Sequence, residues 1–185
     1  IDKCIEDNID LIVTCDNGIS AIEQCDYAKQ NGIKIIVTDH HQTIKLDGKE
    51  IIPNADAVIN PEQLTCNYPF KSLCGAGVAY KLIQAINIKK GYGMLECENL
   101  LQYVAMGTVC DIVDLKDENR YFVTKGLEEI NNTENYGLKC LIDMTGIKNG
   151  VNVYSLGFII GPCINAAGRL DTAKLGVEPV SYTHL

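Results

Sequence analysis

The 185 residues carry a formal net charge of −8, with 46% apolar and 22% charged side chains. That is enough chain for one domain with a substantial core, or for one and a half small ones, and the composition is that of a folded globular protein. It excludes a bilayer-spanning run of roughly 18–20 apolar residues, an opening basic-then-apolar signal segment, and a protein that coats nucleic acid through bulk positive charge.

The opening IDKCIEDNIDLIV reads as helix followed by strand, so the sequence is expected to begin inside a domain. Asp10 to Cys15 is a short, nearly continuous apolar run rich in β-branched residues, which predicts a strand buried on both faces of a parallel sheet. Asn17-Gly18 breaks it. Ile19 to Gln30 then shows helical spacing, with Ile22, Cys25 and Ala28 on one face, and Asn31-Gly32 closes the helix. Lys34 to Thr38 is a second buried strand, followed at once by Asp39-His40-His41, and Ala55 to Asn60 is a third, closed by Pro61. From there the pattern turns helical, over Gly77 to Ile88, Glu98 to Val109, Glu118 to Asn131 and Gly137 to Thr145, with shorter stretches at Ser155 to Ile160 and Asn165 to Leu170. The expected architecture is α/β: a parallel-sheet domain over 1–115, an α-rich connecting region over 116–178, and a tail over 179–185 that breaks the trend and reads as non-native. Nine cysteines are an odd number with no C-x-x-C pair, and several fall in apolar stretches. They read as small hydrophobes of a reduced, cytoplasmic protein rather than as a disulfide or zinc framework.

Ligands of open parallel sheets sit just outside the carboxyl ends of the strands. Asp16 ends the first predicted strand and Asp39-His40-His41 ends the next, 24 positions on (16 to 40), which suits one helical crossover and places the two clusters side by side. A carboxylate and an imidazole converging there make a mixed N/O site for Mn²⁺, Mg²⁺ or Zn²⁺. In an extended segment neighbouring side chains point to opposite sides, so the His pair is expected to give one ligand and one group free for a phosphate. D-N-G alone is also a common turn sequence, and Asp111, after an apolar helix, reads equally well as a structural or solvated residue.

The segments Val13-Thr-Cys-Asp-Asn-Gly-Ile-Ser20, Thr38-Asp-His-His41 and Gly107-Thr-Val-Cys-Asp-Ile-Val113 resemble three successive motifs of the DHH phosphoesterase family. Leu73-Cys-Gly-Ala-Gly-Val-Ala-Tyr-Lys-Leu82 and Gly161-Pro-Cys-Ile-Asn-Ala-Ala-Gly-Arg-Leu170 stand where two further motifs would. The last is similar to a hallmark of the family's single-strand exonucleases rather than of the family at large. The resemblance covers nearly all of Asp10 to Glu178.

That resemblance implies Asp16 as a carboxylate bridging two divalent metal ions, Mn²⁺ first and Mg²⁺ second, with His40 and Asp111 as ligands of one of them. It implies His41 facing the scissile phosphate and Asp39 orienting the pair from behind. Asn165 and Arg169 would meet the nucleic-acid backbone. Gly75 and Gly77 would open a helix whose free N–H groups face phosphate, or would simply serve a tight turn that needs small residues. The implied activity is metal-dependent 5′-to-3′ exonucleolytic hydrolysis of single-stranded DNA in repair and recombination. The implied partners are single-stranded DNA, a helicase and a single-strand-binding protein, with no membrane, and the implied state is a monomer. A DHH phosphatase of smaller substrates (pyrophosphate, short RNA, nucleotides) and a non-catalytic DNA- or replication-protein-binding relative are the alternatives. The family's first motif, an aspartate-rich D-x-D-G segment, has no counterpart before Asp10, and the domains that complete the family's DNA cleft do not follow Gly176. The isolated sequence is therefore expected to be inactive.

Overall fold

β-branched residues at Ile35, Ile36 and Val37 favour an extended chain whose side chains alternate between faces, and this segment forms the central strand of a parallel sheet. The structure is a computed structural model that describes residues 1–170, apart from the side chains of residues 94–96 and 167–170. The predicted non-native tail lies outside the described residues. Two compact units divide the chain, Ile1–Ile86 and Asn87–Leu185.

The first unit runs α1 (Asp2–Glu6), β1 (Leu11–Val13), α2 (Ile22–Gln30), β2 (Lys34–Thr38), β3 (Ile44–Leu46), β4 (Lys49–Ile51) and β5 (Ala57–Ile59), and α3 (Gly75–Lys90) begins within it. The strand order is β1-β2-β5, all parallel, with Val13 opposite Ile36 and Thr38 opposite Ile59. Cys25, Ala28, Ile33, Ile35 and Val37 form the core, and Ile12 and Val58 pack against it. Burial of β1 on both faces is not observed. Leu11 and Val13 are 46% and 52% exposed, while Ile12 between them turns inward. β1 is an edge strand, and an apolar run reads the same whether one face or two are covered. β3 and β4 form an antiparallel hairpin around Asp47-Gly48, both with positive φ (51° and 75°). Asp-Gly between strands is a recognised hairpin turn, yet the sequence reading assigned no element there.

The second unit is helical throughout its described part. A 3-10 segment (Met94–Leu100) leads into α4 (Leu101–Cys110), followed by α5 (Asp117–Asn131), α6 (Tyr136–Thr145) and α7 (Val153–Ser155). A π-helical segment (Leu156–Ile160) then runs directly into α8 (Gly161–Leu170). Ala105, Val123, Ile130, Leu138, Leu156 and Ile160 are buried together. Asn135 caps α6, its side chain accepting from Leu138 N at 2.8 Å, and Gly146 ends it at φ 72°. This left-handed C-cap is one that glycine adopts without strain. Among the described residues, no helix is long and apolar enough to cross a membrane.

Candidate metal centre

Both predicted strand-end clusters lie in the first unit, and a ladder of threonine and backbone bonds ties them together. Thr38 Oγ1 donates to the Thr14 carbonyl at 2.6 Å, and Thr38 N–H donates to Thr14 Oγ1 at 3.2 Å. Thr14 Oγ1 in turn donates to the Asn17 carbonyl at 2.6 Å, and Asp16 N–H donates to the Thr38 carbonyl at 3.1 Å. These bonds extend the β1–β2 pairing past the strand ends and turn the chain sharply. Asp16 takes the left-handed φ of 65°, a conformation that costs most residues about 1–2 kcal/mol and that Asp tolerates better than most.

Asp39 is the buried anchor, 1% exposed. Its Oδ2 accepts from Ile19 N–H at 2.9 Å, and its Oδ1 accepts from His40 N–H at 2.7 Å, His41 N–H at 3.2 Å and His41 Nδ1 at 2.7 Å. Burial by itself pushes this carboxyl upward. The hydrogen bonds from Ile19 N–H, the His41 ring and the two histidine backbones outweigh it and hold the group below the ordinary carboxylate range. An ionised carboxylate only accepts, so His41 carries its proton on Nδ1 and turns Nε2 away from Asp39.

The pleat ends at Thr38, and Asp39 Oδ1 gathers both following N–H groups into a tight turn, so the two histidines do not point to opposite sides. Their ring centroids are 4.6 Å apart at an interplanar angle of 54°. His40 Nε2 lies 3.0 Å from Asp16 Oδ1, with the imidazole 13% exposed and the carboxylate 53% exposed. Asp16, His40 and His41 each offer a ligand atom, all within 4.8 Å of one another, and among the described residues this is the one group of three or more such side chains. One carboxylate oxygen and two imidazole nitrogens, partly open to solvent, fit a borderline divalent cation. His41, expected at the phosphate, thus also stands within reach of a shared ion.

The remaining predicted residues lie elsewhere. Asp111 is the exposed C-cap of α4, in the second unit. Asn165 is exposed on α8; Arg169 belongs to the last turn of that helix, and its side chain is outside the described set. Gly75 and Gly77 are buried in the first turn of α3, where Gly77 N–H donates to Cys74 Sγ at 3.4 Å. Sequence reasoning missed three supports: Thr14, Thr38 and Asn60. Asn60 is 2% exposed, its Nδ2 donates to the His41 carbonyl at 2.9 Å, and its Oδ1 accepts from Glu62 N–H at 2.8 Å. An Asn closing a strand before Pro61 was the available signal, and it read as a turn.

A family model described as the DHH family, N-terminal domain, matches residues 1–108. The single-stranded-DNA-specific exonuclease RecJ of Bacillus subtilis is 42% identical over 174 residues, 94% of this chain and 21% of the relative. RecJ of Escherichia coli is 37% identical over 188 residues, 96% of this chain and 32% of the relative. The sequence therefore spans between a fifth and a third of these relatives' length. The crystal structure of exonuclease RecJ bound to manganese superposes with a TM-score of 0.82 at 30% identity, covering 97% of this chain and 44% of that one. RecJ from Thermus thermophilus in complex with Mn²⁺ gives a TM-score of 0.83 at 29% identity, covering 98% and 27%.

Proposed function

The chain belongs to the DHH family, and from that membership we propose that it carries the metal-binding core of a hydrolase that cleaves phosphodiester bonds in single-stranded DNA, releasing mononucleotides from the 5′ end in repair and recombination. The observation that carries this reading is the pair His40 Nε2–Asp16 Oδ1 at 3.0 Å, with His41 in the same group and Asp39 buried behind it. The names of the relatives support the choice of substrate. Divalent ions held there, Mn²⁺ first and Mg²⁺ second, would supply a more acidic bound water and stabilise the charge around phosphorus.

The residues of the chain divide the remaining work. Asp16 and His40 bind cation. His41, its Nδ1 proton fixed on Asp39, presents Nε2 to a phosphate oxygen, where it can hold or give a proton. Asp111 as a further ligand, and Asn165 and Arg169 as phosphate contacts, rest on the resemblance of their motifs alone. On the same basis residues 1–115 are the DHH portion, 116–178 the helical connection, the protein a cytoplasmic monomer, and a helicase and a single-strand-binding protein its partners.

The test uses the intact gene product that contains this sequence, single-stranded DNA labelled at either end, and Mn²⁺ or chelator, with pyrophosphate and short RNA in parallel. Mn²⁺-dependent mononucleotides from the 5′-labelled end are expected, and His40→Ala should abolish them with the thermal unfolding of the metal-free protein unchanged. Turnover of only the small substrates would move the function to the phosphatase branch.

A further inference from the structure

We infer that Gly75 is a positioning residue for the metal centre: the absence of a side chain there lets the first turn of α3 close onto Asp16 and fixes the carboxylate against His40. The inference rests on the reading of Asp16 as a metal ligand.

Glycine is a poor choice for a helix on propensity alone, alanine being the better former, and α3 has two glycines in its first three positions. Neither is a left-handed glycine, so conformational freedom does not explain them. Their surroundings differ sharply. A Cβ at Gly77 would lie 3.5 Å from Leu73 Cδ2 and 3.6 Å from Leu73 Cβ, which is ordinary contact. A Cβ at Gly75 would lie 2.6 Å from Asp16 Cα and closer still to Asp16 Cβ and Oδ1. The atom that would be struck is the one that faces His40 Nε2 at 3.0 Å.

Asp16 cannot retreat without losing that geometry. Its φ is already 65°, its N–H is spent on the Thr38 carbonyl, and the neighbouring Cys15 Sγ sits 3.9 Å from the Gly75 carbonyl. On the other side the His40 backbone is tied to Asp39 at 2.7 Å. A methyl group at position 75 must therefore push the half-exposed Asp16 loop outward, because the buried helix start has less room to give. The role differs from the phosphate contact that the glycine-rich motif suggests, since it acts on the ligand through shape rather than through N–H groups.

The test is a Mn²⁺ titration of the intact gene product, followed by electron paramagnetic resonance of free Mn²⁺, with thermal unfolding of the metal-free protein recorded beside it. Wild type should bind. Gly75→Ala should lose at least about 10-fold in Mn²⁺ affinity, the scale on which displaced supports of a metal ligand act, with metal-free unfolding within a few degrees of wild type, and excess Mn²⁺ should recover binding. Gly77→Ala should change neither affinity nor unfolding. Wild-type affinity in Gly75→Ala, or equal losses in the two alanine variants, would overturn the inference. If Gly75→Ala does not fold, Asp16→Gly is added to it, removing the struck Cβ and carboxylate; recovery of folding supports the contact and continued failure overturns it. Absence of Mn²⁺ binding by wild type would instead sink the metal-site reading on which the inference stands.

Discussion

Asp39 receives hydrogen bonds from three backbone N–H groups and one imidazole while lying almost wholly buried. Replacing it with Asn keeps the shape but sets an amide N–H₂ against donors that need an acceptor. The cost of leaving such buried donors unpaired is about 1–3 kcal/mol, more where a charge is involved, so Asp39→Asn should destabilise the first unit by roughly 2–3 kcal/mol in denaturant unfolding. The pH dependence carries the sign. The Asp39 carboxyl is held below its ordinary value, so its contribution is complete above the unfolded value of about 4 and is lost as pH falls through the folded one. Asp39→Asn should therefore flatten the acid limb of the stability curve, and an unchanged limb would show that Asp39 is not its source. Asp16, Asp39, His40 and His41 were legible in the sequence because acids and histidines at the ends of apolar runs have few other uses. Asn60 and Gly75 were not. What each does depends on a partner 19 or 59 positions away (60 to 41, 75 to 16), which no local pattern encodes.

At the scale of elements, α5 lies directly against the backbone of α4 in the second unit. A Cβ at Gly126 would lie 3.0 Å from the Leu101 carbonyl carbon and closer to the carbonyl oxygen and to Ala105 Cβ. Propensity favours alanine over glycine by about 1 kcal/mol in a helix interior, whereas overpacking against a fixed backbone costs about 1–3 kcal/mol or more. Here the obstacle is backbone and a methyl group, neither of which can rotate away, so overlap wins. Gly126→Ala should lower the thermal midpoint, and a raised midpoint would mean the helices part easily. The elements themselves were mostly legible: α5 and α6 begin one residue before their predicted starts and end where predicted. Three departures have physical causes. The β3–β4 hairpin is only three residues a side, too short for alternation to register against background. The open face of β1 is invisible to a pattern that counts apolar residues without counting neighbours. The π-helical segment joins two stretches that read as separate because Gly157, Gly161 and Pro162 interrupt the helical pattern.

At the scale of the whole molecule, charge opposes the substrate. The chain has 24 acidic and 16 basic residues, and only Arg120 and Arg169 supply guanidinium forks. A single strand gains affinity by releasing counterions to lysine and arginine, with a salt slope near −0.7 per phosphate neutralised, and a net −8 surface offers little of that. The proposed alternative source of attraction is a divalent cation on Asp16, His40 and His41, which reverses the sign of the field where phosphate must sit. Binding of a phosphorothioate oligothymidine, followed by fluorescence anisotropy with this 185-residue chain, should then depend on Mn²⁺ far more than on salt. Chelation should weaken it about 100-fold or more, and the slope against log salt with Mn²⁺ present should be shallow, about −1 to −2, as for two or three phosphates. The opposite pattern, chelator-insensitive binding with a steep slope, would place recognition on a basic surface that formal charge conceals. Weak binding under both conditions would assign the grip on DNA to other parts of the gene product and leave this chain the ions alone.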